Sequence, residues 1–168
     1  MNEISSKLRL DVGCGDHPQG NVNSDLYLTE SPHLHKRRID PKKYPNFVRC
    51  DAYYLPFRNN MFEEVLSSHL LEHLSAPSKV LKEMLRVSNN KVTFIVPHRM
   101  RRGFREILYP RFAKEHHKII FTYRNIDSWL TTAGLTFDIF TRYRVLPHRV
   151  FPIVQIPWDI MVTVYKPY

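Results

Sequence analysis

The chain has few cysteines, no long apolar run and no internal repeat. It contains only two cysteines, Cys14 and Cys50, in 168 residues. Two are too few for a disulfide scaffold, so we expect a reducing, cytoplasmic setting. No apolar run approaches the roughly 18 residues needed to cross a bilayer, and residues 1–7 have no secretory core. Internal repeats and low-complexity linkers are also absent. These gaps argue against a disulfide-rich secreted domain and against a membrane-spanning protein.

What the chain does have is the composition of one folded domain. Hydrophobic residues make up 43% and charged residues 24% of the sequence, which is typical of a globular protein and not of a disordered one. A length of 168 residues is enough for one core with two or three layers. We therefore expect residues 1–168 to form a single domain.

The most informative segment is a short apolar strand that runs into a glycine turn at residues 8–15. Gly13 and Gly15 allow backbone N–H groups to approach an anionic ligand group. Asp25 ends the next apolar segment, where a carboxylate can accept both hydroxyls of a ribose. An ordinary turn uses glycine in the same way, so the pair alone does not identify a ligand.

The short connection between these two segments indicates the kind of nucleotide. A dinucleotide site needs a third glycine, a helix facing the pyrophosphate and an acid about 20 residues further on. Here only residues 16–24 separate Gly15 from Asp25, and Pro18 and Gly20 interrupt them. A crossover usually needs about a dozen residues or more, so any helix here is vestigial. The spacing favours a nucleoside ligand without phosphates and disfavours a nicotinamide oxidoreductase.

Continuous apolar segments predict the strands of a parallel sheet that is covered on both faces. They lie at residues 7–12, 22–27, 46–50, 63–68 and 91–97. Two more strands are expected at residues 136–141 and 158–165, joined by a segment that contains three prolines, Pro147, Pro152 and Pro157.

Capping residues and apolar spacing predict two helices. Ser75, followed by Pro77, indicates the N-cap of a helix over residues 76–87. Its apolar stripe, which we expect to be buried, consists of Val80, Leu81, Met84, Leu85 and Val87. Asn125 predicts the cap of a second helix that runs to Ala133 and ends at Gly134.

Three blocks of sequence then occur in a recognisable order and spacing: LDVGCG at residues 10–15, CDAYYLPF at 50–57 and FEEVLSSHLLEHL at 62–74. Weaker echoes follow at residues 115–122 and 129–135. Together the blocks resemble the class I S-adenosylmethionine-dependent methyltransferases, particularly the small type 11 group. The resemblance implies an α/β, Rossmann-like fold with an open, mostly parallel sheet, helices on both faces and an antiparallel C-terminal edge hairpin.

The chain departs from the family at its front, where the first strand begins near residue 7 and the N-terminal helices are reduced. One flank of the pocket is then either open or covered by a partner subunit, as in a homodimer.

The resemblance also implies S-adenosylmethionine as the cofactor and assigns residues to it. Its amino acid part would be surrounded by Asp11, Gly13, Cys14 and Gly15, and its ribose hydroxyls would be bound by Asp25. Asp51 and Ala52 would contact the adenine, with Leu26 and Leu55 as packing neighbours. An aspartate such as Asp51 also fits a simple turn. Ser68 and His69 end the fourth strand at the same edge, where ligands of open α/β sheets bind.

Two histidines are candidates for a general base, which matters only if the methyl acceptor arrives protonated. His69 and His98 each follow a strand that ends at the pocket, and imidazole titrates near neutrality. His69 equally fits a role in lining the cofactor pocket. Glu72 and His73 fit local packing better than catalysis. No metal is expected, because His33 with His35 and His116 with His117 lack the spacing of zinc motifs.

The charge of the chain is the main clue to its acceptor. The formal net charge is +9, and 15 basic residues lie in segments that leave the same sheet edge as the glycine turn. These are Lys36, Arg37, Arg38, Lys42 and Lys43; Arg99, Arg101, Arg102, Arg105, Arg111, Lys114 and Lys118; and Arg142, Arg144 and Arg149. Phe104, Tyr109, Phe112, Tyr123 and Tyr143 are interleaved with them. Such a surface attracts an anionic, stacking substrate such as RNA, although basic loops also occur without that purpose.

Other functions stay open on the sequence alone. The apolar segment 145–157 could form a lid over a small hydrophobic or lipid-like acceptor. A second alternative is a non-catalytic module that binds nucleic acid on the same fold, against which Asp25 and Asp51 argue. We expect a methyltransferase that acts on an N or O atom.

Overall fold

Seven strands and two α-helices make up the regular structure of the described residues. The computed structural model describes residues 8–28, 40–44, 46–99, 118–145 and 155–167. The strands are β1 Arg9–Val12, β2 Val22–Asp25, β3 Phe47–Arg49, β4 Phe62–Ser68, β5 Ser88–Pro97, β6 Thr136–Val145 and β7 Gln155–Tyr165. The helices are α1 Pro77–Val87 and α2 Tyr123–Thr132, and two 3-10 turns lie at Pro41–Lys43 and Leu71–His73.

All seven strands belong to one sheet, in the order β3-β2-β1-β4-β5-β7-β6. The five strands β1 to β5 pair in parallel, and β7 pairs antiparallel with both β5 and β6. This arrangement confirms the predicted Rossmann-like sheet with an antiparallel C-terminal edge. The carboxyl ends of β1 to β5 therefore meet at one edge, and β7 starts there because Asp159 lies opposite Pro97.

The main core lies on the face of the sheet that the two helices cover. Strand residues of one alternating set, such as Leu10, Val65 and Phe94, form a single buried cluster with both helices. Helix α1 contributes Val80, Leu81, Met84 and Val87, whereas Leu85 is only partly buried. Helix α2 contributes Ile126 and Leu130. Two right-handed crossovers that proceed in the same direction place both helices on this face.

The opposite face carries a polar network across the centre of the sheet. Glu64 accepts hydrogen bonds from Arg9 and Thr93 at 2.9 and 3.2 Å, and Lys91 lies 3.6 Å away. Thr93 also contacts the Thr163 hydroxyl at 3.4 Å. Residues 13–21 join β1 to β2 without a helix, as the short spacing between Gly15 and Asp25 predicted. No helix of the described ranges is long and apolar enough to cross a membrane.

Both predicted helix caps differ from the observed ones. Helix α1 starts from Ala76, which makes no side-chain cap, while the Ser75 hydroxyl accepts a hydrogen bond from Lys118 at 2.9 Å. Helix α2 is capped by Thr122 in a capping box, with Asn125 at the third helical position. Asn125 is part of this cap but is not the N-cap residue. Its side-chain oxygen accepts the Thr122 N–H at 2.7 Å, so the N-cap lies three residues before the predicted position.

The terminal hairpin is longer than predicted. Strand β6 extends to Val145 and β7 begins at Gln155, so that β7 contains Pro157. The register shifts between Arg142 and Tyr143, opposite Pro157. A bulge tolerates a residue that lacks an N–H, which is why the proline does not end the strand.

Candidate functional site

The glycine turn after β1 is held by the tip of β2. Gly13 and Cys14 donate their N–H groups to the Ser24 carbonyl at 2.8 and 3.0 Å. Gly15 donates to the Asp25 carboxylate at 3.0 Å. The glycines suggested that these N–H groups could bind an anionic ligand group. In the structure they are instead bonded within the protein. The turn instead presents the Asp25 carboxylate at a fixed position.

Gly13 adopts a left-handed backbone conformation and packs closely against Leu70, two residues after β4. Its φ is +72°, and a Cβ at this position would lie 3.0 Å from both methyl carbons of Leu70. The left-handed conformation favours glycine, and a Cβ here would also require the Leu70 side chain to shift. The tip of β4 therefore packs directly against the predicted cofactor turn.

Asp25 joins the turn to its own strand end. Its second carboxylate oxygen accepts the Tyr27 N–H at 2.9 Å, and its backbone carbonyl accepts from Cys50 at 3.1 Å. A carboxylate has about four lone-pair sites, so two backbone donors leave capacity for ligand hydroxyls. Leu26, the predicted packing neighbour, is 40% exposed beside it.

Asp11 is buried beneath the turn with one oxygen unsatisfied. Only 1% of the residue is exposed; one carboxylate oxygen accepts the Gln19 N–H at 2.9 Å. The other accepts no hydrogen bond from the described part of the chain. Burial raises the pKa of Asp11 to about 6 and that of the neighbouring Cys14 thiol to about 12. Cys14 is therefore a neutral thiol and no nucleophile.

Asp51 forms the turn that follows β3. Its carboxylate accepts the Tyr53 N–H at 2.9 Å and its carbonyl accepts the Tyr54 N–H at 2.9 Å. The turn-forming role weighed for Asp51 is thus present, and the carboxylate keeps lone pairs for a ligand. Ala52 is partly buried against the core, and Leu55 is 4% exposed within it. Leu55 is therefore a core residue.

His69 stands at the end of β4 in an unusual backbone conformation. Its φ is +57°, which is uncommon outside glycine, and its N–H donates to the Ile95 carbonyl at 2.8 Å. Ser68 before it is partly buried, and the Ser67 hydroxyl donates to the Val12 carbonyl at 3.0 Å. These bonds connect the tip of β4 to β1 and β5.

Two carboxylates flank the His69 ring, and the sequence had assigned neither to chemistry. The Nδ1 atom lies 3.4 Å from Glu72 and the Nε2 atom lies 3.8 Å from Asp159. Glu72 was expected to serve local packing. Asp159 was not singled out, although an aspartate within the apolar stretch 158–165 was a usable signal.

His98, the other proposed base, lies after β5 with its N–H bonded to the Trp158 carbonyl at 3.0 Å. Burial lowers the pKa of its ring, which keeps His98 neutral near pH 7. Its backbone bond places it next to the strand that carries Asp159.

Part of the predicted basic surface lies within the described ranges and is exposed. Its solvent-accessible cations are Lys42, Arg99, Lys118, Arg142 and Arg144. The Arg144 guanidinium lies 4.8 Å from the centre of the Trp158 ring, and Tyr123 and Tyr143 are 54% and 58% exposed. Outside the described residues lie Lys36, Arg37, Arg38, Arg101, Arg102, Arg105, Arg111, Lys114 and Arg149 with Phe104, Tyr109 and Phe112.

Two further predictions also fall outside the described ranges, in whole or in large part. Residues 146–154 of the predicted lid are among them, as are His33, His35, His116 and His117. Within the described ranges, no group of three histidine, cysteine or acidic residues is arranged to hold a metal ion.

Comparison with known proteins adds a family and a fold. Residues 10–96, more than half of the chain, match the family model described as a methyltransferase domain, of the type 11 group. An uncharacterized protein of Methanocaldococcus jannaschii is 36% identical over 93 residues, which cover 53% of this chain. The match spans only 39% of the length of that curated relative.

Solved structures share the fold at low sequence identity. A SAM-dependent methyltransferase from Thermotoga maritima has a TM-score of 0.66 at 14% identity, covering 98% of this chain and 84% of its own. The magnesium protoporphyrin IX methyltransferase of Synechocystis, solved with bound SAH, has a TM-score of 0.57 at 12% identity, covering 95% and 74%. At these identities the likeness concerns the fold.

Proposed function

The chain belongs to the type 11 methyltransferase-domain family, and we propose that it transfers a methyl group from S-adenosylmethionine to an N or O atom of an anionic substrate such as RNA. The observation that carries this proposal is the convergence of three carboxylates at the adjoining ends of β1, β2 and β3. Asp11, Asp25 and Asp51 are each fixed by a backbone N–H, so the polar groups of the site are oriented before any ligand arrives.

The residues at this edge fit an adenosyl ligand without phosphates. Asp25 would accept the ribose hydroxyls and Asp51, with Ala52, would face the adenine, while Leu26 offers an exposed apolar surface. Asp11 has a buried, unsatisfied carboxylate oxygen, which suits a cationic ammonium group near Gly13, Cys14 and Gly15. No lysine or arginine of the described residues pairs with these three aspartates within the site, which disfavours a phosphate-bearing ligand.

The main requirement of methyl transfer is that the protein aligns the acceptor atom with the methyl group. When bound, S-adenosylmethionine supplies a methyl group activated by the positive sulfonium. Holding the acceptor in line with it can lower the barrier by several kcal/mol, so that no nucleophilic side chain is needed. Cys14, buried and neutral, is accordingly not required for the chemistry.

The anionic acceptor is supported by charge. Arg99 follows β5, and Arg142 and Arg144 lie in β6 near the edge at which β5 ends. Exposed cations around a pocket raise the local concentration of anions. Tyr123 and Tyr143 offer exposed rings that suit base stacking.

Radiolabelled methyl donor, incubated with the full chain and with fractionated cell extract, tests the acceptor. We expect label in the RNA fraction, with substrate affinity that falls steeply as salt rises. Label in lipid or apolar small molecules with no salt dependence would favour the lid hypothesis. If the chain binds RNA while calorimetry detects no S-adenosylmethionine binding at millimolar ligand, it is a binding module and not an enzyme.

A further inference from the structure

We propose that Glu72 is a positioning residue that prepares His69 to take the proton which the methyl acceptor releases. This inference rests on the proposed function and specifies the acceptor: an N–H or O–H group that is protonated when it binds. His69 would be the catalytic base, Glu72 its buried partner, and His73 and Asp159 would complete the cluster. His69, Glu72, His73 and Asp159 are called the proton cluster below.

The environment of Glu72 is the first reason. The residue is 1% exposed, and neither carboxylate oxygen accepts a hydrogen bond from the described residues. Its nearest charge partners are imidazoles: His69 Nδ1 at 3.4 Å and His73 Nε2 at 3.9 Å. No lysine or arginine of the described ranges pairs with it.

The burial of Glu72 is the reason to expect a positive charge beside it. An ionised carboxylate buried without donors or a counter-ion is strongly unfavourable. Among the described residues, the groups next to Glu72 that can carry a compensating positive charge are the imidazoles of His69 and His73. The proton cluster therefore has a place for one proton next to the tip of β4, at the edge where the cofactor would bind.

Access to this proton site is one-sided. The side chain of His69 is 37% exposed, whereas those of His73, Asp159 and Glu72 are 17%, 10% and 1% exposed. A bound acceptor can therefore reach the proton cluster through the His69 ring. The left-handed backbone of His69, φ +57°, is an uncommon conformation of the kind that concentrates at functional sites.

The bonds of the reaction require such a group. Transfer to an N–H or O–H acceptor forms a bond between carbon and the acceptor atom and breaks the carbon–sulfur bond, leaving its electron pair on sulfur. The proton that the acceptor carried is released. With the proton of the neutral ring on Nδ1, the ring nitrogen nearer to Glu72, the lone pair of Nε2 takes the released proton, and the imidazolium so formed lies between Glu72 and Asp159.

The distances assign unequal roles to the two carboxylates. Glu72 is nearer and only 1% exposed, so its charge favours the tautomer with the proton on Nδ1. Asp159 is 3.8 Å from Nε2 and stabilises the charge that develops there. Among the described residues, His73 lies on the same turn as Glu72, His98 follows β5, and the Lys118 ammonium is bonded to Ser75.

NMR on the full chain tests the tautomer without any substrate. Two-bond ¹H–¹⁵N spectra of histidine-labelled protein, assigned with His69→Asn, should show His69 protonated on Nδ1 at alkaline pH. Free imidazole side chains favour Nε2–H, so the Glu72→Met variant, which removes the acceptor, should revert to that form. Glu63→Gln, a change at the opposite end of β4, should leave the spectrum of His69 unchanged.

Kinetics provides the second readout, using the extract fraction that wild-type protein labels. Glu72→Gln keeps an acceptor for Nδ1–H but removes the charge, so kcat at pH 7 should fall about tenfold to a hundredfold with KM little changed. Added imidazole should partly restore transfer by His69→Ala.

Wild-type His69 protonated on Nε2 would overturn the inference, as would equal transfer rates for Glu72→Gln and Glu63→Gln. If no fraction is labelled by wild type, the proposed function fails, and the NMR tautomer still decides the role of Glu72. If Glu72→Met does not fold, the wild-type spectrum alone decides the tautomer.

Discussion

The carboxyl edge of the sheet is divided into two halves that hold their acidic groups in different ways. In the half formed by β1, β2 and β3, Asp11, Asp25 and Asp51 each accept backbone N–H groups from the adjoining turns. In the half formed by β4, β5 and β7, the carboxylate of Glu72 accepts no hydrogen bond from the described residues, and its ion-pair partners among them are imidazoles. In the first half the carboxylates are held by backbone donors, and in the second they lie against a histidine ring.

The difference indicates two tasks. Carboxylates that are fixed by backbone donors stay in place and can receive hydroxyl groups of a ligand without rearrangement. A carboxylate that lies beside an imidazole can stabilise the charge that forms when the ring takes up a proton. The proposed roles in cofactor binding and in proton removal therefore lie in different halves of the same edge, and we expect substitutions to affect one without the other.

The largest effect should come from crowding the backbone of the first half. A Cβ on Gly20 would lie 2.4 Å from the Val22 carbonyl oxygen and 2.8 Å from the Asp11 nitrogen, both in strands. Backbone atoms cannot yield easily, so Gly20→Ala should lower the free energy of unfolding by about 3 kcal/mol or more. Urea titration measures this.

Gly134→Ala is the matched control. Gly134 has φ +68°, but no atom lies within 4 Å of its Cβ position, so the loss should be only about 1 kcal/mol. Equal losses at the two glycines would show that the β1–β2 connection is not tightly held.

Removing the ribose acceptor should follow in size. Asp25→Ala should weaken S-adenosylmethionine binding about a hundredfold, roughly 2.7 kcal/mol, because hydrogen bonds to a charged group are worth about 1.5–3 kcal/mol each. Calorimetric titration gives the affinity, and circular dichroism checks the fold. Unchanged affinity would refute the assignment of Asp25.

Asp11 provides a test by pH. Its pKa is raised from 3.8 to about 6 by burial, so the folded state binds the proton more tightly than the unfolded state does. The contribution of Asp11 to the free energy of unfolding is therefore most favourable below about pH 4. It falls between about pH 4 and 6 and stays low above about pH 6. The shift corresponds to at most about 3 kcal/mol.

Asp11→Asn should therefore raise the free energy of unfolding of the ligand-free protein by about 2 kcal/mol at pH 7 and by little at pH 4, while weakening cofactor binding. Asp127→Asn, on the exposed face of α2, should be neutral at both pH values. A destabilised Asp11→Asn at pH 7 would contradict the prediction, because it would mean that the folded protein stabilises the ionised carboxylate.

The smallest effect is expected in the second half. Asp159→Asn should slow transfer about fivefold, less than Glu72→Gln, because Asp159 lies farther from the His69 ring and is more exposed. Initial rates at pH 7 measure both. A larger loss of rate in Asp159→Asn than in Glu72→Gln would indicate that Asp159, and not Glu72, is the main positioning residue for His69.

The first half could largely be predicted from the sequence, because its information is local. Apolar segments located all seven strands; Asp25 lies near the end of the second predicted segment, and Asp51 follows the third. The same reasoning could not show that the Gly13 and Gly15 N–H groups bond to β2, since that depends on the pairing of two strands.

The second half was harder to predict because its contacts are nonlocal. Asp159 is 90 residues from His69 along the chain, and only the antiparallel pairing of β5 with β7 brings it to this edge. Glu72 was expected to be a packing residue, and its burial agrees with that expectation. The sequence could not show that the Glu72 carboxylate is buried without a hydrogen-bond donor from the described residues.

A crystal structure of the full chain with S-adenosylhomocysteine tests the central claim most directly. The account predicts that the adenosyl group lies across the ends of β1, β2 and β3, with its ribose hydroxyls on Asp25 and its amino acid part beside Gly13 and Asp11. Ligand bound elsewhere, or these strand ends covered by other packing at saturating ligand, would contradict it.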